Sequence, residues 1–320
     1  MIAPDDLVEA LDELGVDFAC GVPDSLMEPL CSYLATRPRE RHVLAANEGA
    51  AVGMAIGRYL STGKPALVYL QNAGIGNTIN PLVSLADPEV YGIPMLLLVG
   101  WRGQPGTTDE PQHMKQGRVM EPLLEALELP WTTFPTDRDE AVGCLAGALR
   151  EAKERSTPYV ILVEKGTFAP FEEESPSTRQ DRELSSREDA LVALLEATDD
   201  EGIFVVTTGM LGRELYEHRV KSGSPGDRDF LTVGGMGHCC SIALCIAQEQ
   251  PNREVWCLDG DGSVLMHLGC LAVIAGQGPE NLYHVVFNNG VHDRVGGQPT
   301  VMRSVDLAAA ARAFGYQYAS

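Results

Sequence analysis

Positive charge is what this sequence has least of: 24 lysines and arginines stand against 45 aspartates and glutamates, a formal net charge of −21 in 320 residues. That balance excludes binding along a nucleic-acid phosphate backbone, which needs clustered Lys and Arg. An anionic substrate must therefore be met by a few local cations, because the global field repels it. Long apolar runs are missing too. No stretch reaches the roughly 20 uninterrupted apolar residues that a membrane-spanning helix requires. The opening "MIAPDDLVEALDELG" is acidic and amphipathic, unlike a secretory leader. A third absence is CxxC. The eight cysteines include no such pair; Cys31, Cys245, Cys257 and Cys270 lie inside apolar runs, and Cys239 and Cys240 are adjacent. Buried reduced thiols are expected, in preference to disulfides or metal ligands, and with them a cytoplasmic location.

What is present is an alternating rhythm. With 44% hydrophobic and 22% charged residues the composition is that of a soluble globular chain, long enough for two domains. Residues 4–14 predict a helix, "VDFACGV" a strand, and "NEGAAVGMAIGRYLSTG" a helix closed by Gly63. "PALVYL", "PMLLLVG" and "PYVILVE" are apolar on both faces, as central strands of a parallel sheet should be. Residues 171–189 are polar, charged and aperiodic, and read as a linker ending in a helix start. The rhythm then resumes: "GIFVVTTG", "EVWCLDG" and "LYHVVFNNG" as strands, "GHCCSIALCIAQEQ" and "HLGCLAVIAGQG" as helices. The expected fold is α/β: two doubly wound parallel-sheet domains, residues 1–170 and 190–320, joined by the linker 171–189.

Near the C-terminal end, "LDGDGSVLMHLG" packs two aspartates among glycines. A calcium loop starting at Asp259 would need Gly at its sixth position and Glu at its twelfth. The chain has Val264 and Cys270 there. The other reading is a strand running into a Gly-rich turn and a helix. Ligands of α/β sheets collect at such carboxyl ends, beside helix N-termini that suit phosphate. Asp261 can hold a divalent cation at that place. One helix and one strand later, "VVFNNGVHD" puts Asn288 and Asn289 at the end of the next apolar strand, where an amide oxygen can join Asp261 on one ion.

The pairing of GDG with NN resembles the signature of thiamin-diphosphate enzymes. The resemblance implies thiamin diphosphate and Mg²⁺ as cofactors, with Asp261, Asn289 and the carbonyl of Val291 as metal ligands and Asp259 as a structural strand-end residue. It further implies that Glu48, in "AANEGAAVGMAIGRYLSTG", faces the pyrimidine nitrogen of the cofactor, although Glu48 beside Asn47 also fits ordinary helix capping. "QNAGIGNTINPL" resembles the family's glycine turn, bringing in Gly74 and Asn77. "VGGMGHCCSIALCIA" resembles the segment that clasps the cofactor's middle: the Gly234 carbonyl, Met236 as a wedge (or core filler), and His238 toward the diphosphate. Gly209, Gly260, Gly262 and Ser263 complete the implied cofactor contacts.

"GVPDS", the long block from "QNAGIGNTINPL" to "QHMKQGR", and "NNGVHDRVGGQPT" narrow the resemblance to the phosphonopyruvate-decarboxylating branch of the 2-oxo acid decarboxylases, with sulfopyruvate decarboxylases further off. That branch lacks a middle domain, belongs to phosphonate biosynthesis, and releases CO₂ and an aldehyde from a small 2-oxo acid, the cofactor acting as electron sink. The resemblance implies Asp24, Ser25, His113 and His292 as proton-handling groups. His113 falls in a polar loop, 101–120, too long for a mere connector. A phosphonate needs Arg or Lys donors; Lys115 and Arg294 are the leading ones, with Arg102, Arg118 and Gln298 nearby in sequence. A homo-oligomer, at least a dimer, is also implied. The rival readings are a sulfopyruvate or other 2-oxo acid decarboxylase, and a non-catalytic cofactor-binding subunit. The last residues, "FGYQYAS", read as part of a strand, where relatives continue further.

Overall fold

The computed structural model describes residues 1–171, 185–198, 201–295 and 297–320. Most of the expected linker, residues 172–184, lies outside them. Two compact units result, and the division between them falls within that stretch.

The first unit is a six-stranded sheet of β1 (Ala19–Gly21), β2 (His42–Leu44), β3 (Leu67–Gln71), β4 (Leu96–Gly100), β5 (Trp131–Thr133) and β6 (Tyr159–Val163). Their order is β2-β1-β3-β4-β6-β5 and every pairing is parallel. Alternate residues of one strand enter different cores, which is what burial on both faces requires. Leu67, Tyr69, Leu96, Leu98 and Ile161 pack with Leu7 and Leu11 of the helix Pro4–Glu13 and with Leu145 and Leu149 of the helix Arg138–Arg155. Val68, Leu70, Leu97, Val99 and Leu162 pack with Ala51, Val52 and Ala55 of the helix Glu48–Thr62. That helix ends as expected at Gly63, in the left-handed region at φ +69°.

The second unit carries β7 (Ile203–Val206), β8 (Asp229–Leu231), β9 (Val255–Gly260) and β10 (Leu282–Phe287), in the order β10-β9-β7-β8, again all parallel. Val205, Val255 and Cys257 face the helices Cys239–Glu249 and Cys270–Gln277, while Phe204, Val206 and Leu258 face Arg187–Ala197 and Met210–Ser222. Two further short strands, β11 (Val291–His292) and β12 (Gln298–Pro299), pair with each other. No helix among the described residues is long and apolar enough to cross a membrane.

Three expectations need correction. Loop 101–120 contains a helix, Pro111–Arg118, started by a proline at its first turn and closed by Lys115 and Arg118 in its last turn, where cations suit the helix dipole. Residues 316–320 form no strand. The chain leaves the helix Leu307–Phe314 through Gly315 at φ +108°, and a strand exists only with a ladder partner. All eight cysteines are free, yet Cys245 is exposed and Cys270, packed against the core, is only half-buried.

Gly21 shows how tightly β1 and β3 approach. A Cβ there would stand 2.1 Å from the Tyr69 carbonyl oxygen and 2.7 Å from Tyr69 Cγ. Gly21→Ala is expected to cost about 1–3 kcal/mol through overpacking. The measurement is a urea midpoint that falls with an unchanged slope.

Candidate active site

The first unit gathers its polar groups around buried carboxyls. Glu48 opens its helix, but it does not cap it: the Asn47 side chain does, accepting the Ala50 N–H at 2.9 Å. The Glu48 carboxyl instead turns inward and is 5% exposed. Asn77 Nδ2 donates to its Oε2 at 2.7 Å. Gly74 lies against the other oxygen, and a Cβ there would stand 2.2 Å from Oε1. Burial outweighs what Asn77 returns, so the carboxyl is pushed up from its ordinary value of 4.5. Glu48, Gly74 and Asn77, expected together from the sequence, are together.

Asp24 and Ser25 follow β1. Asp24 is fully buried; its Oδ2 accepts the Leu26 N–H at 3.2 Å, and its Oδ1 accepts from Gln71 Nε2 at 2.7 Å. Burial pushes this carboxyl up as well. Gly100 makes room for it, since a Cβ there would meet Asp24 Oδ2 at 1.9 Å. Arg102 sits beside this pair with its charge already engaged. Its Nε and Nη2 hold the Asp109 carboxylate at 2.7 and 2.5 Å, and Nη1 donates to Ser25 Oγ at 2.8 Å. Those bonds hold the Asp109 carboxyl far below the usual carboxylate range and raise Arg102 further. Asn72 brackets the same residue, donating to the Arg102 carbonyl at 2.8 Å and accepting its N–H at 3.2 Å. Gln71, Asn72 and Asp109 were not anticipated. Their only sequence signal is position, at the end of β3 and in "GTTDEPQ". His113 lies on the helix Pro111–Arg118, Nε2 4.0 Å from Glu110 Oε2, and Lys115 and Arg118 project from it into solvent.

In the second unit, β9 ends at Gly260 and Asp261 begins the next helix, 4% exposed. Thr300 Oγ1 donates to Asp261 Oδ2. Ser263 Oγ accepts from both Thr207 Oγ1 at 3.0 Å and the Gly237 N–H at 3.1 Å, tying the end of β7 and the glycine turn to this helix. Thr207 and Thr300 were not singled out as site residues, although Thr300 closes the block "NNGVHDRVGGQPT". Gly209 takes φ 113° and ψ −148°, a conformation open to glycine. Gly237, at φ +89°, has His267 where a Cβ would be, 2.7 Å away.

Met236 and His292 converge on Gly262: a Cβ there would meet the Met236 methyl at 3.4 Å and the His292 ring at 3.3 Å. Burial lowers the His292 pKa, against the pull of Asp261. Gly234 and His238 are exposed, and His238 Nδ1 lies 3.1 Å from the Gly235 carbonyl. Asn289 Oδ1 accepts the Val291 N–H at 3.0 Å, a turn that aims the start of β11. The side chain of Arg294 lies outside the described residues. Gln298 is buried and grouped with the first unit, where its Nε2 donates to Ser32 Oγ at 3.2 Å.

These donors fit the expected groups. Asp261, Asn289 and the Val291 carbonyl offer oxygen only, the donor set of a hard cation such as Mg²⁺. Asp261 Oδ2 accepts from Thr300, and the Asn289 amide oxygen, already accepting one N–H, keeps a second lone pair. Glu48 Oε1, across from the Asn77 bond, is the atom available to a ring nitrogen.

Comparison with known proteins agrees. Residues 1–123 match the family described as thiamine pyrophosphate enzyme, N-terminal TPP binding domain, and residues 209–320 match its C-terminal TPP binding domain. A phosphonopyruvate decarboxylase from Streptomyces viridochromogenes is 38% identical, over 99% of this chain and 81% of that protein. One from Streptomyces hygroscopicus is 37% identical, over 99% and 80%. A sulfopyruvate decarboxylase from Methanosarcina acetivorans is 30% identical, over 97% and 82%. The chain belongs to the family of thiamin-diphosphate-dependent decarboxylases that includes these phosphonopyruvate decarboxylases.

Proposed function

We propose that this protein decarboxylates 3-phosphonopyruvate to phosphonoacetaldehyde and CO₂, with thiamin diphosphate and Mg²⁺, as a homo-oligomer of at least two copies. The observation that carries the reading is Glu48: a carboxyl that is buried, raised by that burial, and hydrogen-bonded by the Asn77 amide. When bound, the cofactor supplies a thiazolium carbon nucleophile and an electron sink. Everything else falls to the chain. Glu48 holds a proton at Oε1 and exchanges it with the ring nitrogen it meets, a role that its raised pKa favours. Asn77 fixes which oxygen does so, and Gly74 leaves it room. Asp261, Asn289 and Val291 hold the metal. Met236 and His292 flank Gly262 in the second unit.

Substrate choice rests on charge. Arg102 is neutralised by Asp109, so its contribution to a dianionic phosphonate is small. Lys115, on the helix that follows that ion pair, is the phosphonate ligand in this reading, with Ser25 offering a hydroxyl. The identity to phosphonopyruvate decarboxylases, above that to the sulfopyruvate enzyme, favours the phosphonate.

CO₂ release with added thiamin diphosphate and Mg²⁺ should be fastest from phosphonopyruvate when sulfopyruvate and pyruvate are run in parallel. Preference for another acid would overturn the substrate; no turnover of any would overturn the reading. Gly74→Ala should displace the Glu48 carboxyl and lower kcat at least about 100-fold, the scale of general acid–base catalysis. Gly76→Ala is the control, since nothing lies within 4 Å of a Cβ there. Glu48→Gln should likewise abolish turnover. Its effect on stability has a definite sign. A carboxyl raised on folding contributes fully below its unfolded value near 4.5 and loses that contribution as pH rises through the folded value. Relative to wild type, the thermal midpoint of Glu48→Gln should therefore gain more at pH 8 than at pH 5.

A further inference from the structure

Thr300 stands where a threonine has an ordinary local task, and it does not perform it. It precedes a single short turn, Val301–Ser304, in extended backbone at φ −80° and ψ 157°. A threonine there usually offers its oxygen to the N–H groups of the turn it starts. The Thr300 side chain makes no such bond. It is buried, and Oγ1 donates to Asp261 Oδ2. An ionised carboxylate only accepts, so the hydroxyl proton is the one committed to that bond.

The main chain of the same residue reaches a second place. The Thr300 N–H donates to the Gly290 carbonyl at 2.8 Å. Gly290 lies in the turn 288–291, where Asn288 Oδ1 accepts the Gly290 N–H at 3.1 Å and Asn289 Oδ1 accepts the Val291 N–H at 3.0 Å. Gly290 is left-handed at φ +68°, and a Cβ there would stand 2.6 Å from Arg303 Cγ, so the stem of Arg303 lies over the turn. Met302 is buried and packs with Val264, on the helix that Asp261 begins, and with Leu271. The segment 300–303 thus rests on both elements that carry the oxygen donors. It meets the helix of Asp261 through the Thr300 hydroxyl and Met302, and the turn of Asn289 and Val291 through the Thr300 N–H and Arg303.

We propose that Thr300 is a positioning residue of the divalent-cation site, setting the spacing between Asp261 and the turn of Asn289 and Val291. The inference rests on the reading of those three residues as metal ligands. Donors on separate elements that are already joined through one buried residue lose less freedom when an ion arrives, so less of the binding free energy goes into ordering them. Mg²⁺ makes the spacing matter, because it demands near-ideal octahedral geometry. Thr300 acts through Asp261 and Gly290, as the outer hydrogen-bond partners of metal ligands do.

The probe is Mn²⁺, titrated into the full chain with thiamin diphosphate in excess and read as loss of the free-ion electron paramagnetic resonance signal. Thr300→Val keeps the shape and removes the hydroxyl, and should weaken Mn²⁺ binding about 10–100-fold, the usual effect of losing such a partner. Thr300→Ser restores the hydroxyl and should restore the affinity. Ser304→Ala loses a hydroxyl bond within the same turn, to the Val301 carbonyl, and should bind as wild type does. Thr300→Val binding as tightly as wild type overturns the inference. So does Thr300→Ser as weak as Thr300→Val, or Ser304→Ala as weak as either, since the loss would then come from loosening and not from the hydroxyl. Where circular dichroism shows Thr300→Val unfolded, Thr300→Ala is judged against Thr300→Ser by the same criteria. Wild-type protein that binds no Mn²⁺ overturns the metal-ligand reading itself, and this inference with it.

Discussion

A carboxylate taken out of water with no cation beside it costs several kcal/mol, and a buried acid therefore stays neutral or finds a partner. The first unit depends on that constraint. Glu48 is given an amide and not a cation, so burial decides its protonation. The backbone around it is arranged to accept the group. Asn47 relieves Glu48 of capping, and Gly74 removes the side chain that would collide with it. The carboxyl is thereby held in one place, buried and with its pKa raised by that burial.

The same rule sorts the second pair of acids in that unit. Asp24 and Asp109 both lie near Arg102, yet their carboxyls move in opposite directions. Asp109 takes the guanidinium in a two-pronged grip and stays charged. Asp24 is left with Gln71 and two backbone N–H groups, too little to offset complete burial. Environments that push two like groups apart are a mark of sites where protons and charges are assigned separate tasks. In a chain with a net charge of −21, committing Arg102 to Asp109 also has a consequence for anion binding. The engaged arginine orders the loop and the Ser25 hydroxyl, and the work of attracting an anion passes to cations that remain in solvent.

Much of this was legible in the sequence. The central strands announce themselves as apolar runs because both faces are covered, and β3, β4, β6, β7 and β9 fall where those runs are; β10, an edge strand six residues long, is legible by its length of apolar sequence. The short edges are not. β2, β5 and β8 are three residues each, only partly buried, and carry no apolar run to read. The glycines at 209 and 237 were noticed as motif members, but what makes them glycine is a positive φ in both, with a ring in the way at 237. Thr207 and Thr300 stayed invisible for a different reason. A hydroxyl that grips a site residue from a distant strand or turn has no local pattern, since its meaning lies in a contact across 56 or 39 residues of chain.

Asp259 and Asp261 illustrate how far two positions on one element can diverge. At the end of β9 the strand's alternation is still in force up to Gly260, so Asp259 points into the core among Cys239, Cys257 and His284. One residue after the glycine the chain is helical, and Asp261 turns to Thr300 at the loop. Glycine between them permits the change of direction with no side chain to place. The "DGD" spelling therefore encodes two environments, a core lined by sulfur and imidazole and a loop where Thr300 donates to Asp261. The strand that delivers Asp261 is buried up to Asp259, so the position of Asp261 is inherited from the core beneath it.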